Sequence, residues 1–149
     1  MQLTRAADYG VRAMIHLATL PTEERALLPA LARATSAPAS FLSKVLQALC
    51  RAEFVASRRG QAGGFEILPA GREASIRAVI EAIDGPIRLN LCVAPGDSCG
   101  RKSFCPANPV WAKAQKAMLE VLNSATVADL ALEAVAPQTL PLKQISKPA

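Results

Sequence analysis

Apolar side chains recur at helical spacing over the first twenty residues of the chain. They fall every three or four positions over residues 3–20, and Pro21 stops the run, so this pattern predicts a first helix. Asp8, Arg12 and His16 follow one another at intervals of four and share one face of that helix, away from much of the apolar stripe. That polar face is therefore available for a role other than core packing.

Two short amphipathic segments and a hairpin pattern come next. Residues 27–34 predict a short helix, residues 35–38 a turn and residues 39–51 a second helix. Two short helices joined by a tight turn are typical of a helix-turn-helix. Two apolar runs, at 54–57 and 65–68, then predict strands joined by a basic, glycine-rich tip. A hairpin in this place is a wing.

The second half of the chain alternates helices with an irregular loop. Ser75 is predicted to cap a helix that ends before a Gly-Pro pair, and residues 90–108 lack a sustained period and hold three of the four cysteines. Asn108 as cap and Pro109 as first residue predict the start of a long helix. Its apolar stripe could pair with a second copy of the chain. Residues 126–134 predict a last short helix.

These patterns predict a mainly α fold with a small β-hairpin wing: a winged helix-turn-helix followed by a long C-terminal dimerisation helix. We divide the chain into a winged helix-turn-helix DNA-binding region at residues 1–70, a cysteine loop with dimerisation helices at residues 71–135, and a flexible tail at residues 136–149.

Composition and charge narrow the functional classes. The 149 residues are 51% apolar and carry a net charge of +5, which fits one compact domain and favours a polyanionic partner. The chain shows no signal-peptide pattern and no membrane-span-length apolar run, so we expect a cytoplasmic protein. An enzyme has little support, because there is one histidine, no Ser/His/Asp constellation and no phosphate-binding loop.

The helix-turn-helix pattern predicts where DNA would be contacted. A helix fits the major groove of B-DNA, so base contacts are expected from the polar N-terminal face of the second helix of the motif. These residues are Ser40, Phe41, Ser43 and Lys44. At the wing, phosphate or minor-groove contacts are expected from Arg58, Arg59, Gly60 and Gln61. The alternative is a three-helix core with a solvated basic hairpin.

Three cysteines in the irregular loop are candidate metal ligands. Six residues separate Cys92 from Cys99, and five separate Cys99 from Cys105. Structural zinc sites usually take their ligands in closer pairs, whereas an iron–sulfur cluster tolerates wider spacing. The spacing favours a cluster, with thiol redox sensing, a disulfide with a spare cysteine, and zinc as alternatives. Cys50 extends the buried stripe of its helix and is interpreted as a core residue.

Three thiolates leave a fourth ligand position open. The candidates are Asp8, His16, Asp97 and Asn108. Asp8 is otherwise explained as part of a surface ion pair with a neighbouring arginine. His16 is the better donor chemically, but a single helical histidine is more often an ordinary boundary residue.

Nearly the whole chain, up to about residue 134, resembles the IscR/NsrR family of bacterial iron–sulfur transcriptional regulators. The resemblance rests on several short motifs together with the three cysteines before Trp111. The motifs are Met-Gln-Leu-Thr at 1–4, Asp-Tyr-Gly-Val-Arg at 8–12, Leu-Ala at 31–32, Phe-Leu at 41–42, Arg-Arg-Gly at 58–60, Gly-Gly-Phe at 63–65 and Asp-Gly-Pro-Ile at 84–87.

The resemblance implies a homodimer with crossed C-terminal helices, a winged helix-turn-helix on each side and palindromic DNA as the partner. In NsrR-like members an Asp of the partner subunit is the fourth ligand of a 4Fe-4S cluster, and Asp8 matches that position. IscR-like members use a His three residues after the third Cys for a 2Fe-2S cluster, where this chain has Asn108. The comparison favours Cys92, Cys99, Cys105 and Asp8 with a 4Fe-4S cluster, and leaves 2Fe-2S possible.

Two positions depart from the family pattern. Glu53 stands where the family usually has Gly at a helix end, and a left-handed non-glycine residue there costs on the order of 1 kcal/mol. Gln61-Ala62 replaces the usual Pro-Gly of the wing. The functional hypothesis is a DNA-binding repressor that senses redox state, nitric oxide or iron–sulfur status. A cluster-free thiol sensor on the same scaffold, or an iron–sulfur protein that does not bind DNA, are the alternatives.

Overall fold

The computed structural model of the chain describes residues 3–60, 63–94 and 99–136. The mainly helical fold with a two-stranded hairpin is confirmed. Its elements in chain order are α1 (Arg5–Thr19), α2 (Leu28–Thr35), α3 (Ala39–Arg51), β1 (Val55–Arg58), β2 (Gly64–Ile67), α4 (Pro69–Glu73), α5 (Ile76–Asp84), a single 3₁₀ turn (Leu91–Val93), α6 (Asn108–Ser124) and α7 (Val127–Val135). Within the described ranges, no helix is long and apolar enough to cross a membrane.

Helix α1 lies at the centre of the fold. The Thr4 hydroxyl caps it by accepting a hydrogen bond from the backbone N–H of Ala7. Its apolar stripe, which includes the fully buried Met14, packs in one cluster with side chains from α2, α3, α5 and α7. Gly10 permits the close approach of α5, because a Cβ there would lie 2.2 Å from Ile83 Cδ1. The core therefore joins elements from both predicted regions of the chain.

The turn between α2 and α3 has the tight geometry that a helix-turn-helix requires. Ser36 ends α2 in the left-handed conformation. The buried hydroxyl of Thr35 donates a hydrogen bond to the Leu31 carbonyl, so this polar group is satisfied inside the core. Helix α3 then spans the predicted residues and buries its predicted apolar side, Leu42, Val45, Leu46 and Leu49.

The wing is an antiparallel hairpin that is also joined to the α1–α2 connection. Arg58 pairs with Gly64 and Ala56 pairs with Glu66 in its register. Ala26 and Phe65 exchange two backbone hydrogen bonds, so the connection before α2 runs beside β2. Gly64 (φ 131°) lies against that connection, since a Cβ there would be 2.9 Å from the Ala26 carbonyl oxygen. Both strands begin and end one residue nearer the tip than predicted.

Two further features differ from the sequence-based prediction. Helix α4 was not predicted. Its Gly71 packs closely on the connection between α3 and β1, since a Cβ there would lie 2.2 Å from the Phe54 carbonyl oxygen. The prediction that Asn108 caps α6 was wrong. Ala107 is the N-cap, and its side chain makes no capping hydrogen bond. The Asn108 amide instead donates to the Cys92 carbonyl at 3.3 Å, a long-range partner that local sequence does not reveal.

Glu53 occupies the left-handed region with φ 59°, immediately after α3. The backbone N–H of Glu53 and that of Phe54 bond to the carbonyls of Cys50 and Leu49 and close the helix. The expected strain of a non-glycine residue at this helix end is therefore present. Ser75 caps α5 as predicted, by accepting from the Ala78 N–H.

Candidate functional site

The start of helix α3 presents the predicted base-contacting side chains on the surface. Ser40, Phe41 and Lys44 are exposed and Ser43 is half-buried. Phe41 is 39% exposed, and its ring contacts the Tyr9 ring edge-on, with centroids 5.9 Å apart and planes at 80°. This contact joins α3 to α1. Phe41 thus fixes the helix as well as extending its outer surface.

The predicted wing arginines are exposed at the end of the hairpin. Arg59 and Gly60 are exposed, and Gly60 has a φ of 102° at the tip. The Arg58 guanidinium lies 3.6 Å from a carboxylate oxygen of Glu66, which also pairs with Arg25 at 2.9 Å. Gln61 lies outside the described residues. Sequence patterns did not single out Glu66 or Arg25. The signal that could have identified Glu66 is its place between the apolar Phe65 and Ile67 of a predicted strand.

The candidate metal ligands Cys92, Cys99 and Cys105 are all free thiols. Cys92 is buried in the 3₁₀ turn, and the other two are half-buried. Two amide side chains of α6 hold the segment that leads to Cys92. Gln115 accepts from the Leu89 N–H at 2.7 Å and donates to the Ile87 carbonyl at 2.8 Å, while Asn108 bonds the Cys92 carbonyl. Helix α6 therefore fixes the first cysteine.

Cys50, a predicted core residue, is half-buried and packs at the edge of the main apolar cluster. Burial raises the pKa of its thiol above the usual value, and a hydrogen bond with Ser57 opposes this only in part. A raised pKa leaves less reactive thiolate at neutral pH. These properties set Cys50 apart from a metal ligand.

The fourth candidate ligand, Asp8, lies on the exposed face of α1. Its carboxylate pairs with Arg12, with an oxygen–nitrogen distance of 2.8 Å. This is the surface ion pair that the sequence offered as the alternative explanation. Arg12 also donates a hydrogen bond, at 3.4 Å, to the carbonyl of Thr35, the last residue of α2. His16 is half-buried in the last turn of the same helix.

The three cysteines suit a metal cluster by their chemistry, but the described residues do not bring them together as a metal site. Thiolates are the ligands that iron–sulfur clusters prefer, so Cys92, Cys99 and Cys105 fit such a group chemically. Across the described ranges, however, no three His, Cys, Asp or Glu side chains are grouped so that they could hold a metal ion. Asp97, another candidate, lies outside those ranges. The ligand set stays a prediction.

Helix α6 is exposed along most of its length. It buries none of its own residues in this protomer, and Val110, Trp111 and Val121 are exposed large apolar side chains. Met118, Leu119 and Leu122 pack against a small second cluster around Ile80 and Ile87. The outer side of α6 therefore offers an apolar surface that none of the other described residues covers.

Comparison with known proteins identifies the family. The model of the Rrf2 family, described as an iron-dependent transcriptional regulator, matches residues 3–133. This chain belongs to the Rrf2 family. The regulator NsrR of Geobacillus kaustophilus is 30% identical over 131 residues, covering 87% of this chain and 89% of that relative.

Two solved structures share the Rrf2 fold with this chain. IscR of T. potens gives a TM-score of 0.74 at 26% identity and covers 94% of this chain and 93% of its own. CymR, the global cysteine regulator of B. subtilis, gives a TM-score of 0.73 at 25% identity. The match covers 89% of this chain and 98% of the CymR chain. The resemblance to the IscR/NsrR regulators is confirmed. The chain is a transcriptional regulator of the Rrf2 family with a winged-helix DNA-binding fold.

Proposed function

We propose that this Rrf2 protein is a homodimeric repressor that binds a palindromic operator and senses redox state, nitric oxide or iron–sulfur status through a cysteine-ligated cluster. One observation carries the proposal: three free thiols lie in a segment tied to α6, whose apolar outer side is left uncovered by the described part of the chain. A sensor site that borders a dimer interface can transmit a local change to both DNA-binding halves.

The DNA-binding part of the proposal rests on α3 and the wing. Ser40, Phe41, Ser43 and Lys44 face the major groove in this proposal, and Arg58, Arg59, Gly60 and Gln61 contact phosphates or the neighbouring minor groove. The exposure of Lys44 and Arg59 and the net charge of +5 support it. A two-fold symmetric dimer carries two copies of α3, so its operator has matching half-sites.

The dimer part of the proposal rests on α6. Val110, Trp111 and Val121 would be removed from water by a second copy of the same helix. Burial of apolar surface is the main driving force of permanent interfaces, and a two-fold interface places the same surface on both subunits. Each cysteine segment then lies near the partner subunit.

In this proposal the cluster is held by Cys92, Cys99 and Cys105, with Asp8 of the partner subunit as the fourth ligand and a 4Fe-4S cluster favoured over 2Fe-2S. The cluster supplies a group that oxidants and nitric oxide attack. The protein supplies the thiolates, a nearby cation in Lys102, and the amides of Asn108 and Gln115, which hold the backbone at and before Cys92.

The contacts of Asp8 suggest how the site communicates with DNA. An Asp8 carboxylate engaged as a ligand is less available to Arg12, which holds both that carboxylate and the carbonyl of Thr35. Thr35 directly precedes the turn that leads into α3. Loss or modification of the cluster therefore changes the contacts at the turn and, through α6, the separation of the two α3 helices. A coupling of about 1 to 3 kcal/mol changes operator affinity roughly 5- to 150-fold.

Anaerobic purification tests the cluster. We expect iron, sulfide and native mass to show a dimer with one cluster per subunit. Cys99→Ser should lose the cluster, whereas Cys50→Ser, which removes the fourth cysteine, should keep it. Operator binding is then compared before and after cluster removal. Equal affinity in the two states would contradict the switch.

A cluster-free thiol sensor is the second candidate function. The observation that favours it is the lack, among the residues described, of a three-donor metal site within one protomer. It predicts an anaerobically purified protein without iron that forms a Cys92–Cys105 disulfide with peroxide. Peptide mass mapping distinguishes this disulfide from simple oxidation of either thiol.

A further inference from the structure

The wing carries one carboxylate, that of Glu66, beside the exposed Arg58. Arg58 pairs with Gly64 and Ala56 pairs with Glu66 in the hairpin register, so Arg58 and Glu66 point to the same side. Gly64 has no side chain to fill the position opposite Arg58. The guanidinium therefore reaches the diagonal neighbour, and its Nε lies 3.6 Å from Glu66 Oε1.

A second arginine holds the same carboxylate from the other side. Arg25 Nε donates to Glu66 Oε2 at 2.9 Å, and the two backbone hydrogen bonds between Ala26 and Phe65 fix Arg25 beside β2. The side chains of Arg25 and Glu66 are 25% and 14% exposed, whereas that of Arg58 is 64% exposed. Glu66 is thus anchored by Arg25 and holds Arg58 by a longer, more solvated contact.

We infer that Glu66 tunes the wing's affinity for DNA by holding Arg58 until a backbone phosphate replaces the carboxylate. The inference rests on the proposed wing–DNA contact and adds a residue that does not itself touch DNA. Before binding, Glu66 restricts Arg58 and lowers the positive potential of the wing. On binding, Arg58 moves from carboxylate to phosphate, and Arg25 continues to neutralise Glu66.

The geometry of the Arg58–Glu66 pair sets the size of the expected change in DNA affinity. A longer contact to an exposed guanidinium contributes little free energy, so the phosphate displaces it at small cost. The carboxylate also repels the incoming phosphate, and this repulsion is strongest at low salt. Removing the charge of Glu66 should therefore strengthen binding to any duplex, whatever its sequence.

Fluorescence anisotropy with a labelled duplex of mixed sequence tests the inference over a range of salt concentrations. Glu66→Gln keeps an acceptor oxygen for Arg25 and should bind the duplex roughly two- to fivefold more tightly at low salt, with a smaller gain at high salt. Glu120→Gln on α6 is the matched control, because it removes the same charge from another ion pair, with Lys116. Glu66→Ala is the second variant, and circular dichroism checks that each variant is folded.

The gain must also depend on Arg58. In an Arg58→Gln background, Glu66→Gln should give a clearly smaller gain in duplex affinity, because only the direct repulsion between carboxylate and phosphate is then relieved. A gain equal to that of Glu120→Gln, or a gain that is undiminished without Arg58, would overturn the inference. Failure of the wing–DNA contact itself is distinguishable, because Arg58→Gln would then leave the affinity of the otherwise unchanged protein and its salt dependence as they were.

Discussion

Helices α3 and α6 bury their apolar side chains in opposite ways. Helix α3 buries five residues within the protomer, whereas α6 buries none and exposes Val110, Trp111 and Val121. Helix α3 belongs to the main apolar core of the chain. Helix α6 is held by its amide hydrogen bonds to the cysteine segment and by the small apolar cluster around Ile80 and Ile87. Among the described residues, the apolar side of α3 is therefore covered by the chain's own core, whereas the outer side of α6 leaves apolar side chains exposed.

The largest expected effect is the loss of a core side chain from α3. Leu46 is fully buried, so Leu46→Ala should lower the free energy of unfolding by about 2 to 5 kcal/mol through lost burial and a residual cavity. Leu132→Ala removes the same atoms from a side chain that is 69% exposed and should change it by less than about 0.5 kcal/mol. Urea denaturation measures both. Similar losses in the two variants would contradict the contrast between core and surface.

The second prediction concerns the apolar side of α6. Val121 is 70% exposed in the protomer. If a second copy covers it, Val121→Asp should raise the dimer dissociation constant more than about tenfold, because a carboxylate is then desolvated without a partner. Sedimentation equilibrium measures the effect. Val135→Asp adds the same charge to an exposed valine of α7 and should leave the dimer intact. A dimer unchanged by Val121→Asp would show that α6 is not the interface.

The third prediction tests the helix end that carries α3 into the wing. Glu53→Gly should raise the free energy of unfolding by about 0.5 to 1 kcal/mol, because glycine adopts a φ of 59° without the steric cost of a Cβ and part of this gain is offset in the unfolded chain. Glu53→Ala keeps the Cβ and removes only the charge. Equal stability of the two variants in urea denaturation would locate the effect in the carboxylate instead of the backbone.

Local sequence patterns predicted most of the fold and only part of the site. The apolar period predicted α3 and the Ser75 cap predicted the start of α5. Each of these signals is local, because the residues that make it lie within a few positions of one another. The contacts that local patterns missed join distant positions. Asn108 bonds a carbonyl 16 residues away, and the Arg25–Glu66 pair spans 41 residues. Such partners depend on how elements pack, which a single sequence does not state.

Helix α7 follows α6 in the chain but packs with the winged-helix core, where Val127 and Ala131 are buried. The Thr126 hydroxyl donates to the Asp129 carboxylate at 2.6 Å and the Thr126 N–H donates at 2.9 Å. Both bonds lower the pKa of Asp129 below its usual value, and the bond from the hydroxyl has the larger effect.

The smallest predicted effect follows from this lowered pKa. Because the folded pKa lies below the unfolded one, the capping contribution is complete above the unfolded pKa and is lost as the pH falls through the folded value. Asp129→Asn should therefore flatten the acid side of the curve of melting temperature against pH, while Glu133→Gln, exposed on the same helix, should leave that slope unchanged. An unaltered acid slope in Asp129→Asn would contradict the prediction, because ionisation of Asp129 would then not be linked to stability, whereas the bond from the residue-129 N–H to the Thr126 hydroxyl is kept in both proteins.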